Sequence, residues 1–257
     1  MRAIQEATSV ENIFAVIDHF TGKYGFSVDT GKQSLLESIR DIGSSYKPVD
    51  LTSVDLEQAR KAATNFVAIL SLMPHELFAA LGLKKMKISN GLGLATAEVD
   101  AGASMNPITG TMYYDIHALL DTNGSSFPHE LGHELDEKSG SYHSILSDPE
   151  FERLNPKGFR YGVDNDTTIG KVITEEYGGT DVAEDKATIY ERMLAGLDAE
   201  SLDTVDEPPL TQKVYLLAAR LDAKMRRKGI LSKEQSFVRY LTKLGHYSNF
   251  ITNDFSE

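Results

Sequence analysis

The run His129-Glu130-Leu131-Gly132-His133 sets two imidazoles four residues apart, with a carboxylate beside the first. On an α-helix such residues lie one turn apart on a single face, so both rings can converge on one cation. Glu130 falls on the adjoining flank, where it can reach a water at the ion without taking a coordination position. Zinc suits this set: it accepts three protein ligands, keeps a fourth position open and brings the pKa of water there to about 7. A carboxylate next to that water can take its proton and pass it to a leaving amine. The spacing therefore predicts a Zn2+ site with His129 and His133 as ligands and Glu130 as general base.

A third ligand has to come from downstream. A metzincin would carry Gly at 136 and His at 139, but Asp136 and Ser139 stand there, which excludes that class. His143 is the next histidine, in a loop-like stretch without a supporting pattern. The segment Glu175–Ala187 is a better source, because a carboxylate opens a helix there and Ala183, Ala187, Ile189 and Tyr190 give it a close-packing face. Small alanines let two helices approach, and Glu184 is then placed to meet the imidazoles. Asp181, Asp185 and Glu191 are the competitors.

These groups need elements to hold them. Ser125 or Ser126 can cap a helix running to about Lys138, with Pro128 tolerated in its first turn, and Phe127, Leu131 and Leu135 form its buried face. Before it, helices are expected over Val10–Tyr24, around Leu35–Ile42 and over Leu56–Leu72. Strands are expected at Lys85–Ile88, Ala95–Val99 and Thr111–Ile116, with turn chemistry at Asn90-Gly91-Leu92-Gly93. After the irregular stretch Ser139–Thr174, helices are predicted over Val182–Leu197, Leu210–Lys228 and Gln235–Leu244. The fold class expected is helix-rich α+β: residues 1–80 a mostly helical region packed on the core, residues 81–257 the catalytic domain with a small sheet.

The combination resembles the lethal-factor and Pro-Pro-endopeptidase branch of the gluzincins, and bacterial proteins provisionally described as zinc-binding metallopeptidases. The likeness spans roughly Thr111–Leu194; Asn155–Gly162 and Glu184–Glu191 are the stretches that carry it to the second group. It implies a zincin-like core and metalloendopeptidase activity on a peptide or protein substrate. That family has a tyrosine seven residues before its glutamate ligand, a spacing matched by Tyr177 and Glu184. Carried over, Tyr177 would donate a hydrogen bond to the oxyanion of the tetrahedral intermediate. One departure stands out: the lethal-factor branch has a second glutamate four residues after the ligand, where this chain has Thr188. Asp185 or Glu191 is left to orient the site from behind.

A substrate peptide is expected to lie extended along an exposed edge strand, Thr111–Ile116, by strand addition. Tyr113, Tyr114 and His117 are candidates to line the cleft. Alternation puts Tyr113 and Asp115 on one face and Tyr114 and Ile116 on the other, so one tyrosine belongs to the core. A zincin-like binding module without catalysis and a non-peptidase metal hydrolase are the alternative readings.

Bulk properties narrow the classes. The chain has 257 residues, 41% hydrophobic and 25% charged, as in an ordinary folded protein. A formal net charge of −12 repels phosphate backbones, which argues against a nucleic-acid partner. The basic run Lys224-Met225-Arg226-Arg227-Lys228 reads as a solvated helix face or C-terminus. With no cysteine, disulfides, thiolate zinc sites and cysteine nucleophiles are excluded. Nothing resembles a signal peptide or a membrane span, so a soluble protein is expected, cytoplasmic or exported by a route not visible here.

Overall fold

Residues 1–30, 45–48, 50–73, 75–93, 103–106, 109–121, 126–136, 147–163, 172–173, 177–195 and 208–229 are described by the computed structural model. They form a helix-rich α+β protein of two compact units, Met1–Glu130 and Leu131–Glu257. The division falls inside the helix Ser126–Asp136. The expected helices around Leu35–Ile42 and over Gln235–Leu244, and the expected strand Ala95–Val99, lie outside the described residues.

The first unit opens with a short helix α1 (Arg2–Gln5) and the amphipathic helix α2 (Val10–Thr21). Ser9 caps α2 by accepting from the Asn12 amide at 3.3 Å, and Val10, Ile13, Phe14 and Ile17 give it one buried face. Helix α3 (Leu56–Leu72) has the predicted limits, with Asp55 accepting from the Gln58 amide at 2.8 Å. Beyond it lies a helix the sequence reading did not anticipate, α4 (His75–Leu81). A proline stops a helix but is also compatible with the first turn of the next, so Pro74 in the sequence marked a break and concealed a restart.

Five strands form the sheet: β1 (Ser27–Asp29), β2 (Ser45–Pro48), β3 (Lys85–Gly93), β4 (Ala103–Asn106) and β5 (Thr111–Asp115). The order is β1-β3-β5-β4; β1 and β5 run parallel to β3, and β4 runs antiparallel to β5. Strand β2 pairs antiparallel with Ser89–Gly93, the half of β3 that β1 leaves unpaired. The glycine-rich Asn90–Gly93 segment is thus strand, not turn. Its pairing with β2 supplies the backbone hydrogen bonds, and the register shift between Tyr46 and Pro48 is the irregularity that strand glycines often accompany.

Strand β5 also corrects an expectation. It lies between β3 and β4 rather than at an edge, and all five of its residues are buried. Tyr113 and Tyr114 point to opposite faces, yet both are fully buried, so both faces of the strand are covered. Neither tyrosine can line an open cleft. The strand ends one residue early because Asp115 Oδ1 accepts from the His117 and Ala118 amides at 2.8 and 3.2 Å. That cap starts helix α5 (Ile116–Asp121), on which His117 is exposed.

In the second unit, part of the stretch read as irregular folds around Phe151. Helix α6 (Ser126–Asp136), which enters this unit at Leu131, is followed by a one-turn helix α7 (Pro149–Glu152), capped by Asp148 and begun by proline. Helices α8 (Val182–Ala195) and α9 (Pro208–Arg227) complete it. Two lysines are buried here, each paired. Lys213 Nζ meets Asp185 Oδ2 at 2.5 Å and the Val172 carbonyl at 2.8 Å. Lys186 Nζ donates to Asp136 and lies 3.5 Å from Asp148. Arg220 holds Asp148 with two hydrogen bonds, 2.5 and 3.0 Å. Burial opposes ionisation of Asp148, but its bonds from Arg220 and the Phe151 amide win, and its carboxyl is drawn down to about 2. Among the described residues no helix is long and apolar enough to cross a membrane.

Candidate metal centre

Helix α6 carries the two histidines and is anchored at both ends. In its first turn Phe127 is fully buried, its ring centroid 5.0 Å from that of Phe66 and 6.3 Å from that of Phe78. Ser126 Oγ is hydrogen-bonded to the Tyr114 hydroxyl. Leu131 and Leu135 are buried as expected. At the other end, Lys224 Nζ donates to the carbonyls of Glu134 and Leu135 at 2.8 and 3.1 Å. The last carbonyls of a helix generally need partners from outside it, and a cation there also suits the helix dipole. The basic run stands at the C-terminal end of α9, one of the two places expected for it, with Lys224 half-buried and Arg226, Arg227 and Lys228 exposed.

Helix α8 brings the carboxylate. Asp181 caps it, Oδ1 accepting from the Ala183 and Glu184 amides at 2.8 and 3.0 Å. Gly132 faces Ala187 and Tyr190 so closely that a Cβ there would lie 2.9 Å from Tyr190 Cβ and 3.1 Å from the Ala187 Cα and carbonyl oxygen. The close approach expected from the alanines is present, and the residue that permits it from α6 is the glycine inside the histidine motif. Gly132→Ala should lower stability by about 1–3 kcal/mol through overpacking, although alanine gains about 1 kcal/mol of helix propensity. Urea denaturation checks this; a variant as stable as the parent would mean that the helices have room to spare.

The result is a group of three. His129, His133 and Glu184 each offer one ligand atom, and these atoms all lie within 4.8 Å of one another. His133 Nε2 is 3.4 Å from Glu184 Oε2. Two donors about 2.0–2.1 Å from one tetrahedral ion sit about 3.4 Å apart, so this pair has the separation zinc requires. Two imidazoles and a carboxylate are also a donor set that zinc accepts with a position left open. Among the described residues no other such group of histidines and acids occurs. His129 is buried, while Glu130, His133 and Glu184 are half-buried, which leaves the group reachable from solvent.

The competing acids have other duties. Asp181 is the helix cap. Asp185 is fully buried and takes hydrogen bonds from Tyr161 and Lys213. Glu191 lies two turns beyond Glu184 on α8, outside the group. Thr188, at the position of the expected second glutamate, donates to the Asp185 carbonyl at 3.0 Å. Its Oγ1 lies 2.7 Å from where a Cβ on Gly178 would be. Tyr177 stands in the 3₁₀ turn Tyr177–Gly179 just ahead of α8 and is 55% exposed. His143 lies outside the described residues. The sequence reading missed Lys224, Lys186 and the reason for Gly132; a glycine inside a strong helix was the legible signal, since it lowers helix stability unless something needs the space.

A buried-ligand helix packed against a glutamate-bearing helix defines, by its side chains, a candidate mononuclear metal site. No family model matches the chain, and no curated protein does. Among solved structures it is similar to a protein from Bacteroides caccae, provisionally described as a zinc-binding metallo-peptidase, at 11% identity and a TM-score of 0.47. The match covers 93% of this chain and 92% of the other. At those values the likeness says nothing about chemistry, and the site rests on its own residues.

Proposed function

We propose that the protein is a zinc-dependent peptidase that cleaves peptide bonds with an activated water, its metal held by His129, His133 and Glu184. The observation that carries this reading is the convergence of the three donor atoms within 4.8 Å, with a carboxylate next in sequence to the first histidine. Zinc bound there would supply Lewis acidity, acidifying water and polarising a carbonyl.

The chain's own residues account for the rest. Glu130, half-buried on the same helix, takes the proton of the attacking water and delivers it to the departing amine. Tyr177 provides a phenol that donates to the oxygen on which negative charge develops. Its exposed position in the turn before α8 supports a group that engages substrate rather than one that fills the core. Burial of His129 and of its helix's Phe127–Leu131–Leu135 face supports a partly organised site, which limits the cost of binding an ion.

Metal analysis of the purified protein tests the reading. Near one zinc per chain is expected, removable by chelators and restored by zinc salts; no uptake after zinc addition would overturn it. Glu184→Ala should weaken zinc binding by at least about a hundredfold, whereas Glu191→Ala should leave it unchanged. Zinc bound without cleavage of any member of a peptide library would favour the binding-module alternative.

A further inference from the structure

Glu184, Asp185 and Lys186 are consecutive on α8, yet each goes to a different place. Glu184 Oε2 lies 3.4 Å from His133 Nε2. Asp185 turns into the core toward Lys213. Lys186, only 1% exposed, donates from Nζ to Asp136 Oδ2 and approaches Asp148 to 3.5 Å. Asp136 follows His133 by three residues on α6, and Lys186 follows Glu184 by two on α8. The buried ion pair thus joins the same two helices that bear the ligand pair, within about one turn of it.

Elsewhere along this contact the helices meet through Gly132, Ala187 and Tyr190. That close packing fixes how near the helices come and opposes sliding by steric fit, while the hydrophobic attraction behind it is non-directional. A buried ammonium on a carboxylate is different, because a shift of an ångström or two leaves both charges desolvated and unpaired. Buried ion pairs contribute little net stability against apolar residues of the same size, and fixing register is their best attested use. Arg220 also holds Asp148, with hydrogen bonds to both of its carboxylate oxygens, so Lys186 lies between Asp136 and an Asp148 that is itself fixed.

We propose that Lys186 is a positioning residue: its pairing with Asp136 sets the register of α8 against α6, so that His133 Nε2 and Glu184 Oε2 stand at the separation one ion needs. This rests on the metal site of the proposed function. Lys186 touches neither ion nor substrate; it acts through Glu184.

The test compares the full-length parent with Lys186→Met/Asp136→Leu, in which both charges are replaced by apolar side chains, and with Asp136→Asn. Zinc affinity is measured by competition with a chromophoric chelator, apo stability by thermal melting, and ligand geometry by the visible spectrum of the cobalt-substituted protein. The double variant should melt near the parent without metal, yet bind zinc about ten- to a hundredfold more weakly, with a changed cobalt spectrum. Asp136→Asn, which keeps an acceptor toward Lys186, should fall between the two. Parental zinc affinity and cobalt spectrum in either folded variant would overturn the proposal. So would loss of the apo fold in both, which would make the pair a structural element alone. A parent that takes up no zinc at all would instead overturn the proposed function.

Discussion

Glu130→Gln is expected to retain zinc and to lose hydrolysis by about a hundred- to ten-thousandfold. Glutamine keeps the size of the side chain and a hydrogen-bonding oxygen, so the water can still be held nearby. It has no basic carboxylate, so it can neither accept the water's proton nor return one to the amine. Glu130 lies outside the three-atom group of His129, His133 and Glu184, hence metal content should stay near one per chain. His133→Ala should behave differently: with one of two imidazoles gone, metal and hydrolysis disappear together. Turnover of a quenched-fluorescent peptide library, measured alongside zinc content, separates the cases. A Glu130→Gln protein cleaving at the parental rate would move the base to another residue.

Lys213→Met should be the most damaging single change to stability, about 3–5 kcal/mol. Lys213 and Asp185 are both fully buried, and the ammonium also sits 5.0 Å from the Phe151 ring centroid and 5.7 Å from that of Phe159. Burial drives the Asp185 carboxyl up and the Lys213 ammonium down, each opposed by the other's charge. Methionine keeps most of the lysine's volume but strips the buried Asp185 carboxyl of its cation. The carboxyl is then either ionised without a partner or forced to take up a proton, served only by the Tyr161 hydroxyl at 2.8 Å and the more distant Lys186 charge. Asp185 Oδ1 already has no hydrogen-bond partner among the described residues. The companion Lys213→Met/Asp185→Leu should recover most of the loss, since the buried carboxyl that lost its partner is gone. Urea titration of both checks this; equal losses would show that packing, not charge, governs the position.

How much of this was legible beforehand differs by element. The histidine helix was readable because spacing, cap chemistry and the Phe127–Leu131–Leu135 face agreed. Glu184 was readable because alanines at 183 and 187 implied a close helix contact. The sheet was read less well. Asn90–Gly93 looked like a turn because glycine usually breaks strands, and only the pairing with β2 reveals otherwise. Thr111–Ile116 looked like an exposed edge strand, because tyrosine is compatible with either a wet or a dry face. Strand order depends on partners far apart in sequence, and no local pattern encodes it. The buried lysines were opaque for the same reason: a lysine reads as surface until its carboxylate, tens of residues away, is known.

The last turn of α6 takes two of its hydrogen bonds from a residue made much later. Lys224 closes the carbonyls of Glu134 and Leu135 across 90 and 89 positions of sequence. During synthesis at about 5–20 residues per second, that interval lasts on the order of ten seconds. Throughout it, the Glu134 and Leu135 carbonyls wait for the ammonium that they hold in the finished chain.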